Sequence, residues 1–390
     1  MLTSLSVIFL VGMFLGWIFK QLRLPGLLGM LTTGIVIGPH MLNLLSDGIM
    51  SISADLRQLA LIIILTRAGL SLNIDDLKKV GCPAILMCFV PASFEILGMI
   101  CLAPPLLHIS VLDAAIMGTV LAAVSPAVVV PKMLRLMQEG YGTNKSIPQM
   151  IMAGASVDDV FVIVIFASAI GLAQGEFISV SRLFQIPVSI LTGIAFGIAL
   201  GILLNLSFKR AHIRDSSKVV ILLSLSFLLV AIENTHLVPF SGLLAVMGAG
   251  AALRRNNPIV ATRLANKYAK LWVAAELILF VLVGTTVDLR YAFAAGIAPV
   301  AVILGALIPR MLGVFVCTIK TNLSFKERLF CMISYIPKAT VQAAIGAIPL
   351  SMGLPCGNIV LTVAVLAILI TAPLGAIAID MTYEKFLCHE

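Results

Sequence analysis

Charge is scarce in this sequence: Asp, Glu, Lys and Arg together make up 11% of 390 residues. Aromatic residues are few as well, at 7% with two Trp, whereas 60% of the chain is hydrophobic. So little charge excludes a soluble globule and leaves no room for a sizeable soluble domain, which points to a polytopic helical membrane protein. The alternating segments of about ten residues that mark a closed β-barrel are missing, and the apolar runs are continuous instead. The seven Cys have no CxxC or other metal-ligand spacing. Most lie in apolar runs, where Cys behaves as a small hydrophobe. The N-terminus lacks a basic stretch and a small-residue cleavage site, so residues 3–19 read as an uncleaved first span.

What is present is a series of thirteen apolar runs. They cover 3–19, 26–45, 57–73, 80–103, 112–131, 148–171, 184–206, 218–234, 238–253, 270–286, 295–318, 328–350 and 357–378. The basic residues between them are unevenly shared. Loops after odd-numbered spans hold nineteen Lys and Arg, and loops after even-numbered spans hold only Arg57, Arg182 and Arg290. By the positive-inside rule this puts the N-terminus outside and the C-terminus in the cytoplasm. The net charge of +8 is therefore mostly a topogenic signal, and nucleic acid is not an expected partner.

The stretch Ile147–Gln174 (IPQMIMAGASVDDVFVIVIFASAIGLAQ) carries the strongest functional signal. It is long enough to cross a bilayer, which needs about 20 residues, yet holds adjacent carboxylates, Asp158 and Asp159, at its middle. A charge at that depth costs at least about 2.5–3.5 kcal/mol, so its default reading is functional. Neighbours on a helix point about 100° apart. One carboxylate can look into a water-filled cavity while the other faces a packed neighbour. Gly154, Ala155 and Ser156 just before them allow close backbone approach.

Thirteen spans also divide into two inverted halves, 1–171 and 218–378, around a linker helix at 184–206. Span 5 carries Ser125-Pro126 at its middle and its symmetry mate, span 12, carries Pro337-Lys338. Proline removes a donor and frees a carbonyl one turn earlier, which is tolerated at membrane depth where backbone lines a cavity. Matching interruptions point to a midplane binding site. Two ordinary proline kinks are the plainer alternative. Spans 4 and 11, also symmetry mates, hold Glu95 and Arg310 mid-span, and opposite charges there can compensate each other. Lys338 could offset the negative end of a half-helix or pair with a carboxylate. All three could equally be structural, without touching an ion. Arg67 lies near a span end and can snorkel. Asp113 and Glu233 sit at span ends and read as solvated, and Glu276 in span 10 has no partner by symmetry.

Several of these stretches are long and specific: AAVSPAVVVPKM (122–133) with GYG (140–142), GASVDDVFVI (154–163), Arg310, and IPKATVQAAIG (336–346). Together they resemble the sodium/proton antiporters of the cation/proton antiporter superfamily, in particular the NHA-type exchanger branch found in bacteria and animals. The resemblance covers nearly the whole chain. It implies an all-α fold with proline-broken crossing helices, a mobile core domain with an elevator-like displacement, and a dimerisation domain, hence a homodimer. It implies Asp159 as the main cation and proton ligand with Asp158 as its partner; in one departure, some relatives carry an acid in the broken part of span 5, where this chain offers only Thr119 and Ser125 as candidate ion-binding oxygens. Glu95 and Arg310 match the branch's intramembrane ion pair, and Lys338 the basic residue at the crossing.

Carboxylates, hydroxyls and unwound carbonyls are the oxygen donors that hard cations such as Na⁺ or Li⁺ require. A carboxylate removed from water is neutralised by a proton or by a cation, and alternating access then makes that competition an exchange. Such exchange needs no enzyme chemistry and no bound cofactor. An intramembrane aspartyl protease would need its two carboxylates to face each other across a substrate, which adjacent residues cannot do. Paired inverted breaks favour a transporter over a channel. Potassium/proton exchange and sodium-coupled symport of an organic anion remain as alternatives. The lack of a long tail suggests a bacterial inner membrane.

Overall fold

A computed structural model of the protein describes residues 1–22, 24–72, 81–173, 180–210, 213–233, 240–287 and 296–389. Among them the regular structure is all helix: α1 (Leu2–Gln21), α2 (Gly26–Ile37), α3 (Asp47–Ser51), α4 (Ser53–Ser71), α5 (Cys82–Met87) and α6 (Val90–Leu107). There follow α7 (Val111–Leu121), α8 (Pro126–Gln138), α9 (Ile147–Ala173), α10 (Val180–Arg210), α11 (Asp215–Glu233) and α12 (Gly242–Asn256). The chain continues through α13 (Pro258–Thr285), α14 (Ala298–Thr318), α15 (Phe325–Ser334), α16 (Thr340–Ile345), α17 (Ile348–Ser351) and α18 (Gly357–Phe386).

Nine stretches of described helix are long and apolar enough to cross a membrane. The other four expected crossings fall on α2, α4, α12 and the interrupted 325–351 segment. Each is too short, too charged or too broken to qualify by length and apolarity alone, so the count of thirteen is not established. The expected span 26–45 stops as a helix at Ile37, because Gly38 precedes Pro39 and is extended (ψ 174°), as a residue before proline tends to be. The tenth span begins twelve residues earlier than expected, at Pro258, a residue suited to a first helical position. Arg263 and Lys267 are thus on a helix, not in a loop. Arg23, Lys78, Lys79 and Arg290 of the charge count lie outside the described residues.

The described chain falls into two compact units. The first comprises Met1–Ala54, Asp76–Gln174 and Leu277–Glu390, the second Asp55–Asp75 and Gly175–Glu276. These units cut across the two halves expected from the sequence, 1–171 and 218–378. In the second unit α10 packs along α12. Gly193, Gly197 and Gly201 are spaced by four, and a Cβ on each would run into the carbonyls of Ser241, Ala245 and Ala249. Small residues at that spacing let two backbones meet, the membrane form of helix packing. Glu233 is not simply solvated there: its carboxylate accepts the Gly242 N–H at 3.1 Å, at the start of α12.

In the first unit the fifth and twelfth spans are both broken where proline predicted. A capping box between Ser110 and Asp113 starts α7. It ends at Leu121, residues 122–125 are non-helical, and α8 resumes with Pro126 in its first turn. A second capping box, Ser324 with Glu327, starts α15, which ends at Ser334 before non-helical residues 336–339. The breaks meet: the Ser125 N–H donates to the Pro337 carbonyl at 2.8 Å. The fourth span is also interrupted, between α5 and α6, at Cys88 and Phe89. Pro91 cannot donate to Met87 O, and the Tyr335 hydroxyl points at that carbonyl instead, 3.4 Å away.

Candidate functional site

The site is assembled on α9 between the two breaks. Asp158 and Asp159 sit halfway along this helix, inside the protein, and differ in what they touch. Asp158 is fully buried, and its Oδ2 accepts the Val124 N–H at 2.9 Å and the Arg310 guanidinium at 3.0 Å. Asp159 is 7% exposed and makes no ion pair among the described residues, and its Oδ1, like Oδ1 of Asp158, has no hydrogen-bond partner. Two adjacent carboxylates on different faces thus have different environments, one packed and paired, the other not.

Glu95 and Arg310 pair as their symmetric positions suggested, but not as an isolated couple. Arg310 Nη1 lies 2.7 Å from Glu95 Oε2 while Nη2 reaches Asp158. Lys338 Nζ approaches both Glu95 oxygens, at 2.6 and 2.8 Å. All four side chains are buried. They form a chain of alternating sign, Lys338–Glu95–Arg310–Asp158, whose ionised members sum to zero. An uncompensated charge at such depth is costly, and an arrangement with excellent geometry on both sides of each inner member offsets that cost. The question of whether Arg310 serves Glu95 or Asp158 is answered by its fork, which serves both.

The same cations hold the broken backbone. Arg310 donates to the Ala122 carbonyl and, through Nε, to Tyr335 O at 2.7 Å. Lys338 donates to Leu121 O at 2.6 Å, and Gln342 Nε2 donates to Leu121 O at 3.1 Å and Ala123 O at 2.9 Å. Positive groups therefore face the carbonyl end of α7, the favourable sense for a helix C-terminus. The carbonyls of Leu121, Ala122 and Ala123 at this break thus already accept bonds from the protein.

Of the two expected hydroxyls, Ser125 is buried at the crossing and its Oγ has no partner. Thr119 is buried within α7 and its hydroxyl donates to Ile116 O at 2.7 Å, away from the break itself. Glu276 is half-buried and engaged by a neighbouring group. Sequence reasoning overlooked Gln342, a polar residue in the first turn of the helix that follows the break. Among the described residues no three His, Cys, Asp or Glu side chains gather as a metal site would require.

Comparison with known proteins completes the reading. The family described as "Sodium/hydrogen exchanger, transmembrane" matches residues 6–385. Sodium/hydrogen exchanger 9B2 of Homo sapiens is 34% identical over 394 residues, spanning 93% of this chain and 70% of the relative. The Xenopus tropicalis protein of the same name is 32% identical, across 93% of this chain and 69% of its own length. In fold, the chain resembles the sodium proton antiporter MjNhaP1 from Methanocaldococcus jannaschii, with TM-score 0.86 at 21% identity, over 99% of this chain and 98% of that one. These findings favour sodium/proton exchange over potassium/proton exchange and over organic-anion symport. The chain is an integral membrane protein that belongs to the transmembrane sodium/hydrogen exchanger family, and its function is sodium/proton antiport.

Proposed function

We propose that Asp159 is the carboxylate that alternately holds the proton and the sodium ion, while Asp158 is committed to Arg310 throughout the cycle. The observation that carries this reading is the division of labour between adjacent residues: Asp158 Oδ2 is bound by Arg310 and the Val124 N–H within the neutral four-charge chain, whereas Asp159 makes no ion pair among the described residues. An ionised carboxylate out of water needs neutralisation. Asp158 has it from Arg310, so its charge does not change when an ion enters. Asp159 must take either a proton or a cation, and taking one expels the other. No bound cofactor enters this scheme. With a single titrating carboxylate per site, exchange is one proton for one cation and insensitive to membrane potential.

The inverted halves, the elevator-like displacement and the homodimer enter the proposal from the family resemblance. The N-outside orientation rests on the positive-inside count of the loops. Lys145 lies 2.8 Å from Glu327 and Lys132 2.6 Å from Asp380, so the ends of spans 5 and 13 and the start of span 12 lie at one end of the first unit. A bacterial inner membrane gains no support from the animal relatives and is not part of the proposal.

The test is a proton-flux assay in proteoliposomes, with a Na⁺ gradient imposed at clamped potentials of either sign. Sodium-driven proton movement at a rate independent of the potential is expected. No sodium-dependent flux would remove the functional assignment to this chain, and a rate that follows the potential would show that more than one proton accompanies each cation.

A further inference from the structure

Two oxygens on the far side of the crossing have no role so far. Gln342 is buried, and its amide orientation is fixed by its neighbours, because only the NH₂ group can face two carbonyl oxygens, Leu121 O and Ala123 O. Its Oε1 is then turned elsewhere, and it is buried without a partner. Thr340, two residues earlier, is also buried, and its Oγ1 likewise has no partner. A buried polar atom left unsatisfied is costly, about 1–3 kcal/mol each, and such atoms call for a reason. Two of them on α16 stand at the functional crossing, since α16 packs against α9, the helix of the aspartates. Gln342 and Asp158 also clasp consecutive residues of the same break, at Ala123 O and Val124 N.

A hard cation requires several oxygen ligands. Asp159 supplies charge, Asp158 is held by Arg310 through Oδ2 and keeps only its buried Oδ1 without a partner, the carbonyls of 121–123 each accept a bond, and no further acidic, His or Cys side chain joins them into a metal-binding group among the described residues. Two carboxylate oxygens do not fill a shell, so further ligands are sought among neutral oxygens. We propose that Thr340 Oγ1 and Gln342 Oε1 are ligands of the transported cation, completing with Ser125 Oγ a neutral set around the Asp159 carboxylate. This rests on the reading of Asp159 as the exchanging group. The second broken span thereby contributes to ion selection as well as to the charge chain.

The cleanest variant is Thr340→Val, which removes an oxygen that makes no bond in the protein while keeping the side chain's shape. If the hydroxyl served only the fold, nothing would be lost. As a ligand, its removal raises KM for Na⁺ about tenfold or more with thermal stability unchanged or higher, and Thr340→Ser restores the wild-type KM. Gln342→Met loses both the oxygen and the two amide bonds at the break, so it is read by the ratio of KM for Na⁺ to KM for Li⁺. A positioning role alone lowers turnover alike for both ions; a ligand role shifts the ratio, because ions of different size need different oxygen shells. Wild-type KM values for both cations in Thr340→Val would overturn the assignment of Thr340, and an unchanged ratio in Gln342→Met would overturn that of Gln342. Asp159→Asn measured alongside separates the two claims. If it is inactive while both variants behave as wild type towards cations, this inference fails and the Asp159 reading stands. If it still exchanges, the underlying reading itself fails.

Discussion

The chain Lys338–Glu95–Arg310–Asp158 makes a prediction that an isolated Glu95–Arg310 pair does not. Removing one member of a buried ion pair costs about 3–5 kcal/mol, chiefly because its partner is left uncompensated. Glu95→Gln strands Lys338, whose Nζ lies 2.6 Å from Glu95, whereas Arg310 keeps Asp158 at 3.0 Å. Lys338→Met strands nothing completely, since Glu95 keeps Arg310 at 2.7 Å and Leu121 O keeps the Gln342 amide. The double variant Glu95→Gln with Lys338→Met therefore leaves an intact neutral pair, Arg310 with Asp158. Its loss should fall short of the sum of the singles by about 2–3 kcal/mol, the upper end of measured couplings. The other double, Glu95→Gln with Arg310→Gln, deletes the middle of the chain and leaves Lys338 and Asp158 both unpartnered by charge, so its losses should be near additive. An isolated pair predicts the reverse ranking. Thermal unfolding of purified wild type, the singles and both doubles in one detergent decides between them. If Glu95→Gln with Arg310→Gln proves the milder double, or if neither cycle shows coupling, the four-charge chain is refuted.

Close packing and the distal ion pair make two further predictions. A Cβ at position 154 would overlap Tyr335 Oη, so Gly154→Ala should destabilise the protein by roughly 1–3 kcal/mol, and adding Tyr335→Phe should recover part of the loss; a Gly154→Ala protein with wild-type melting would contradict this packing. Glu327 is 2% exposed beside Lys145; burial raises its carboxyl, but the hydrogen bonds from Lys145 and Ser324 outweigh that and hold it below the ordinary range. A depressed carboxylate stabilises the fold above its unfolded value of about 4.3 and loses that contribution as pH falls through the folded value. Lys145→Met should therefore cost most stability near neutrality, with the gap to wild type closing as pH drops to about 4 and below; a gap that stays constant over that range would show that the pair contributes nothing pH-dependent.

Much of this site was legible in the linear chain because the membrane makes charge and proline conspicuous. Asp158, Asp159, Glu95, Arg310 and Lys338 are each anomalous in an apolar span, and Ser125-Pro126 and Pro337-Lys338 mark breaks that the structure places against each other. Sequence could not say how the charges connect. That depends on the fork of Arg310 reaching two carboxylates from one position, which is a matter of distance and not of spacing. Nor could it reveal that Gln342 turns its amide towards the break, since a glutamine in an apolar run carries no charge to betray it. Helix ends were missed for local reasons. Gly38 before Pro39 closes α2 early, and Pro91 interrupts the fourth span at a point where Tyr335, far along the chain, offers the missing donor.

The account turns on Asp159 being the exchanging carboxylate and Asp158 a fixed counter-charge. Sodium-dependent proton flux through Asp159→Asn in proteoliposomes, with protein confirmed folded by thermal unfolding, tests this most directly. An amide oxygen can still coordinate weakly but cannot cycle a proton, so the flux should vanish while the four-charge chain and stability persist. Clear sodium-dependent proton flux from a folded Asp159→Asn protein would contradict the account and move the exchange elsewhere.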